Sequence, residues 1–143
     1  MNRKGFTLIE LIAVIALLAM VLILATFSLS SYLMRGREKS FDIIVNSFED
    51  GVLEAYTSCV ANPTGSNFCT NHDIPTYGQS DTIRLSEIVN EGFIEKIKNP
   101  WNTSEKCDVD NSYVTVTRDD ANNISFTYKT CLICGTHRSE GCN

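Results

Sequence analysis

Four soft metal ligands fall within twelve residues near the C-terminus, Cys131, Cys134, His137 and Cys142. As a zinc site they are badly spaced, because zinc knuckles leave four residues between the second cysteine and the histidine, and here there are two. As a redox pair, Cys131-x-x-Cys134 lacks the helix N-terminus that lowers a thiol pKa, since Cys131 closes a run that reads as a strand. The even total of six cysteines fits disulfides in an oxidising, exported compartment better. Three bridges allow fifteen connectivities. Cys59 and Cys69 close a small loop after a helix, and a turn at 118–123 brings Cys107 near Cys131 and Cys134. The expectation is Cys59–Cys69, with Cys107, Cys131, Cys134 and Cys142 forming two further bridges.

Other candidate groups carry less. Asp108-x-Asp110-x-Ser112 and Asp119-Asp120 could ligate calcium, but they lack the glycine and distal glutamate of an EF-hand loop and read as solvated turn carboxylates. His72 and His137 lie in polar loops, and no Ser-His-Asp or Cys-His ordering accompanies them. Asn102-Thr103-Ser104 and Asn123-Ile124-Ser125 fit the glycosylation sequon, a pattern common by chance. No catalytic constellation emerges, so the expectation is a non-enzymatic chain without cofactor or metal.

Glu10 is the chemically odd residue. It stands in a segment from Phe6 to Leu29 whose only other polar residues are Thr7, Thr26 and Ser28, and which as a helix is roughly 36 Å long, enough to cross a bilayer core of about 30 Å. A carboxylate there costs about 2.5–3.5 kcal/mol on insertion scales, so it needs a partner or a purpose. The apolar stretch continues into Phe27, Leu29, Tyr32 and Leu33 without a small-x-small cleavage site, which favours a retained anchor over a removed secretory signal. Arg3 and Lys4 precede it and Arg35, Arg37 and Lys39 follow, a weak orientation signal. The cysteines place the residues after about Ser30 outside the cytoplasm.

The opening Met1-Asn2-Arg3-Lys4-Gly5-Phe6-Thr7-Leu8-Ile9-Glu10-Leu11 resembles the class III signal of type IV prepilins and pseudopilins: a short basic leader ending in glycine, an aromatic, and a glutamate four residues on. The resemblance implies cleavage between Gly5 and Phe6, N-methylation of Phe6, and Glu10 as the buried glutamate that meets a neighbouring subunit's terminal amine and sets assembly register. Two buried charges of that kind compensate only when the register is right. Many pilins carry a helix-breaking Gly and Pro where this chain has Ala19 and Phe27. A more continuous helix follows, and the balance shifts toward a minor pilin or pseudopilin.

The elements that position these groups come next. From Tyr32 the pattern turns amphipathic, with Phe41, Ile44, Val45, Phe48, Val52, Ala55, Tyr56 and Cys59 at three- and four-residue spacing. One helix is expected from about Phe6 to Cys59, its second half the spine of a soluble head. Ala61 to Ser80 reads as a connecting loop. Leu85 to Ile94 reads as a two-turn helix with Ser86 as N-cap and Gly92 as its stop. Asn99-Pro100-Trp101 is a turn with a hydrophobic tryptophan plug, similar to the segment before the sheet in major pseudopilins. Ser112–Thr117 and Ile124–Ile133 read as a hairpin about 118–123, with Val114, Val116, Ile124, Phe126 and Tyr128 facing the helix.

The expected fold is therefore α+β, a long N-terminal helix packed on a small antiparallel sheet in a disulfide-stapled, pilin-like head. The expected organisation is a leader at 1–5, a transmembrane and filament-core helix at 6–30, and an extracytoplasmic head at 31–143. Function is expected to be structural: a subunit anchored by one pass in the cell membrane, then assembled with other pilins into an extracellular or periplasmic filament. The resemblance implies a prepilin peptidase, an inner-membrane platform protein and an assembly ATPase as partners. Alternatives are a membrane-anchored or filament-tip binding module and, further off, a tethered thiol oxidoreductase using Cys131 or Cys134. The formal charge is −5, and beyond residue 35 nine cations face sixteen acids, so the head repels phosphate backbones and disfavours nucleic-acid binding.

Overall fold

The computed structural model describes residues 7–121 and 125–142. Helix α1 spans Leu8–Ala61, and the chain forms two compact units that divide after Glu38. Neither Ala19 nor Phe27 interrupts α1, since neither position lacks an amide hydrogen or carries extra backbone freedom. Between Leu11 and Leu24 the helix is apolar on all sides: Ile12, Ile15, Leu18, Leu22 and Leu24 are all exposed. Among the described residues this is the single helix long and apolar enough to cross a membrane.

In the second unit the same helix becomes amphipathic and builds the core. Phe41, Phe48, Val52, Ala55 and Tyr56 are buried, with Ile44, Val45 and Cys59 packed at the edges. Full burial of a side chain such as Phe48 or Val52 contributes roughly 1.5–3 kcal/mol. Gly51 lets α1 come close to its neighbours: a Cβ there would lie 2.6 Å from Ile94 Cγ2.

The sheet covering this stripe has three strands, β1 (Ser80–Arg84), β2 (Tyr113–Arg118) and β3 (Phe126–Cys131), antiparallel in the order β1-β2-β3. Val114 pairs with Thr130 and Val116 with Tyr128, so Val114, Val116, Phe126 and Tyr128 share the helix-facing side as the alternation requires. Ile124 lies outside the described residues. A further short pair, β4 (Ile133–Cys134) with β5 (His137–Arg138), follows β3. The α+β architecture, long helix on small antiparallel sheet, is as the sequence indicates.

Three local expectations need correction. The 61–80 segment is not all loop, because it holds α2 (Asn67–Asn71), a five-residue helix capped by Ser66, whose Oγ accepts from Cys69 N at 3.3 Å. Strand β1 was unforeseen, since only Ile83 among its five residues is buried. Helix α3 (Leu85–Asn90) is capped at Arg84, not Ser86: β1 runs straight into it, Arg84 N donates to Glu87 Oε2 at 2.8 Å, and Ser86 N donates instead to Val109 O. Gly92, with φ of +84°, ends that turn, its left-handed conformation costing glycine no Cβ strain.

Candidate functional site

The N-terminal residues that carry the sequence signal are organised by Thr7 and Glu10. Thr7 N and Thr7 Oγ1 donate to Glu10 Oε2 at 2.9 and 3.0 Å, and Glu10 N reaches Thr7 Oγ1 at 3.4 Å. Leu11 N closes the first turn on Thr7 O at 3.2 Å. This is a Thr-x-x-Glu capping box, which satisfies two otherwise orphaned amides and holds the carboxylate over the helix start. Glu10 is exposed in an apolar helix. Gly5 and Phe6 lie outside the described residues.

A second polar constellation, which sequence reasoning missed, sits in the head. Asp81 occupies a helix-facing position of β1, paired with Val116. Its Oδ2 accepts from Tyr56 Oη at 2.8 Å and lies 2.9 Å from His72 Nδ1, while His72 Nε2 lies 3.3 Å from Glu87 Oε1. The imidazole stacks on Phe68, ring centroids 4.8 Å apart, and its side chain is only 11% exposed. Burial first, and then the Asp81 carboxylate, push the Tyr56 phenol far above its ordinary value. The cluster ties α1, the 62–79 segment, β1 and α3 together beside the Cys59–Cys69 bridge. No sequence signal marked it, because the inward position of Asp81 depends on β1, whose residues show no apolar alternation.

The cysteines are all bridged: Cys59–Cys69, Cys107–Cys134 and Cys131–Cys142. Cys131 and Cys134 belong to different bridges, so no Cys-x-x-Cys disulfide exists. The structure does not bring the four soft ligands together, because His137 stacks on Trp101 at 3.6 Å and the cysteines serve two bridges. Trp101 also packs on Phe41, and its turn is held by Asn99, whose Oδ1 accepts from Trp101 N at 2.9 Å. Asp108 is committed locally: bonds from the Asn111 side chain and backbone hold its carboxyl below the usual range. Asp119 accepts from Thr127. Asn102 Oδ1 accepts from Ser104 N at 3.3 Å, and Asn123 lies outside the described residues.

A cleft of about 570 Å³ runs between α1 and the C-terminal part of the head, with Asp42, Asn46 and Glu49 on its helix wall. Glu49 accepts from Thr130 Oγ1 at 2.5 Å and joins that wall to β3.

Residues 1–26 match the prokaryotic N-terminal methylation motif, the class III signal of type IV pilins and pseudopilins. That motif supports a type IV pilin-like protein, points to a structural one, and implies assembly with other pilins and processing by a prepilin peptidase. Together with the apolar helix it fits membrane anchoring before assembly. No curated protein and no solved structure matches the chain.

Proposed function

We propose that this chain is the precursor of a filament subunit, cleaved between Gly5 and Phe6, N-methylated on Phe6, and packed through its N-terminal helix into a type IV pilus or a secretion-type pseudopilus. Before assembly residues 6–30 hold it in the cell membrane with the head, 31–143, outside the cytoplasm. Afterwards the same apolar surface forms the filament core. A platform protein and an assembly ATPase extract the subunit.

The observation that carries this reading is Glu10, a carboxylate held at the start of an apolar helix whose large side chains are exposed. In a bundle of such helices the charge is tolerated only opposite a cation, and cleavage after Gly5 would generate one at Phe6. Glu10 then acts as a register mark and performs no chemistry on a substrate.

The test is Glu10→Ala in producing cells. Membrane insertion is expected to be unchanged, since the substitution removes a penalty of about 2.5–3.5 kcal/mol. Filament content is expected to fall at least tenfold. Normal filament content would contradict the role given to Glu10.

A further inference from the structure

Strand β3 is an edge of the sheet, and part of that edge is bare. Arg118 N donates to Gln79 O at 3.3 Å and Arg118 O accepts from Gly78 N at 2.9 Å. The main-chain groups of Arg118, and by alternation those of Val116 and Val114, therefore turn toward β1. Their partners across the ladder, Phe126, Tyr128 and Thr130, turn their N–H and C=O groups away from β2. The C-terminal segment covers one end of this row. Ser139 Oγ donates to Thr130 O at 2.5 Å, Ser139 N donates to Leu132 O at 3.0 Å, and Gly141 lies against the Thr130 backbone. Phe126 and Tyr128 lie beyond that cover, and among the described residues their outward N–H and C=O groups have no partner.

The 570 Å³ cleft opens beside this edge, between Tyr128 and Thr130 of β3, α1 and residues 138–141. Its charged groups are Asp42, Glu49, Lys129, Arg138 and Glu140. Lys129 alternates with Tyr128 and Thr130, which puts its side chain on the face of the sheet turned away from α1. That leaves three carboxylates against one guanidinium, and among the described residues no ion pair neutralises any of the three.

Outward amide and carbonyl groups at every second residue are matched by another extended backbone, the usual occupant of an open sheet edge. An added strand turns every second side chain toward α1 and into the cleft. Cations at those positions meet Asp42 and Glu140, whereas acidic side chains are repelled.

We infer that the Phe126–Tyr128 edge takes up an extended peptide segment of a partner protein as a further strand, with Lys or Arg side chains at alternate positions turned into the cleft. The site belongs to the head alone and does not depend on the filament reading.

The experiment titrates the full-length chain, in nonionic detergent micelles, with a short alternating lysine–threonine peptide and follows amide exchange residue by residue. Two controls of equal length are a glutamate–threonine peptide and the lysine peptide methylated on every amide nitrogen, which keeps the charge and removes the backbone donors. Saturable binding of the lysine peptide is expected, slowing exchange at least tenfold at the Phe126 and Tyr128 amides and far less at Thr127 and Lys129, which already face β2. Both controls are expected to bind at least tenfold more weakly. Asp42→Lys, at an exposed side chain, should weaken the lysine peptide at least fivefold with the stability of the head unchanged. The proposal would be overturned by an absence of saturable binding, by saturation that leaves exchange at Phe126 and Tyr128 unaltered, or by equal binding of either control.

Discussion

His72 Nδ1 lies 2.9 Å from Asp81 Oδ2, on the helix-facing side of the first strand. The other ring nitrogen faces Glu87 Oε1 at 3.3 Å. A neutral imidazole has one N–H and can donate to one of these carboxylates, whereas an imidazolium donates to both. The ring is also stacked on Phe68, so it joins the disulfide-bridged segment to the sheet and to α3 through polar and apolar contacts at once.

Replacing that ring should loosen the segment it fastens. His72→Ala is expected to cost about 1–2 kcal/mol of head stability. Amide exchange should quicken over residues 62–79 more than over β2 and β3. Uniform protection across the head, with unchanged stability, would remove the clasp role.

The Tyr56 phenol gives a pH dependence of definite sign. Burial, and then Asp81, hold the proton on Tyr56 in the folded head, so its folded value stands above the unfolded value of about 10. This contribution is fully present below about pH 10 and is lost as pH rises beyond it, because only the unfolded chain then releases the proton. Tyr128 is shifted the same way, by burial and then by Glu49 and Asp50. Tyr56→Phe should flatten, without abolishing, the alkaline fall in stability measured by denaturant titration between about pH 9 and 11. At neutral pH it should cost about 1 kcal/mol for the lost bond to Asp81. An unchanged alkaline slope would contradict the assignment.

Gly141 sits against the backbone of β3, where an added Cβ would meet Thr130 O at 2.3 Å and Thr130 N at 2.8 Å. Backbone cannot swing aside as a side chain can, and the neighbouring Cys131–Cys142 bridge holds the two strands of chain together. Gly141→Ala is expected to destabilise the head by about 1–3 kcal/mol. Gly51→Ala should cost less, because its clash is with an Ile94 methyl and alanine regains about 1 kcal/mol of helix propensity. Chemical denaturation of both variants checks the order.

What the sequence disclosed divides along physical lines. The apolar segment and the long helix were legible because the pattern is written in side chains: fifteen unbroken apolar residues from Leu11 to Ala25, then the three-four stripe from Phe41 to Cys59. The β2–β3 hairpin was legible for the same reason, through Val114, Val116, Phe126 and Tyr128. Strand β1 was not, since Ser80-Asp81-Thr82-Ile83-Arg84 has one buried apolar residue and is defined by its pairing with β2 across some thirty residues of chain. Helix α2 is too short to show a period. The His72 cluster depends on Asp81 pointing inward, and alternation alone would assign that position to an apolar residue. Among Cys107, Cys131, Cys134 and Cys142 the pairing followed from which strand ends the fold brings together, and spacing left it open.

The measurement that tests the central claim most directly is the intact mass of the chain recovered from sheared surface filaments of cells that contain a prepilin peptidase. The account predicts a subunit that begins at Phe6, bears one added methyl group, and retains three disulfides. A chain found in the membrane alone, with Met1–Gly5 still attached and no methyl group, would contradict it.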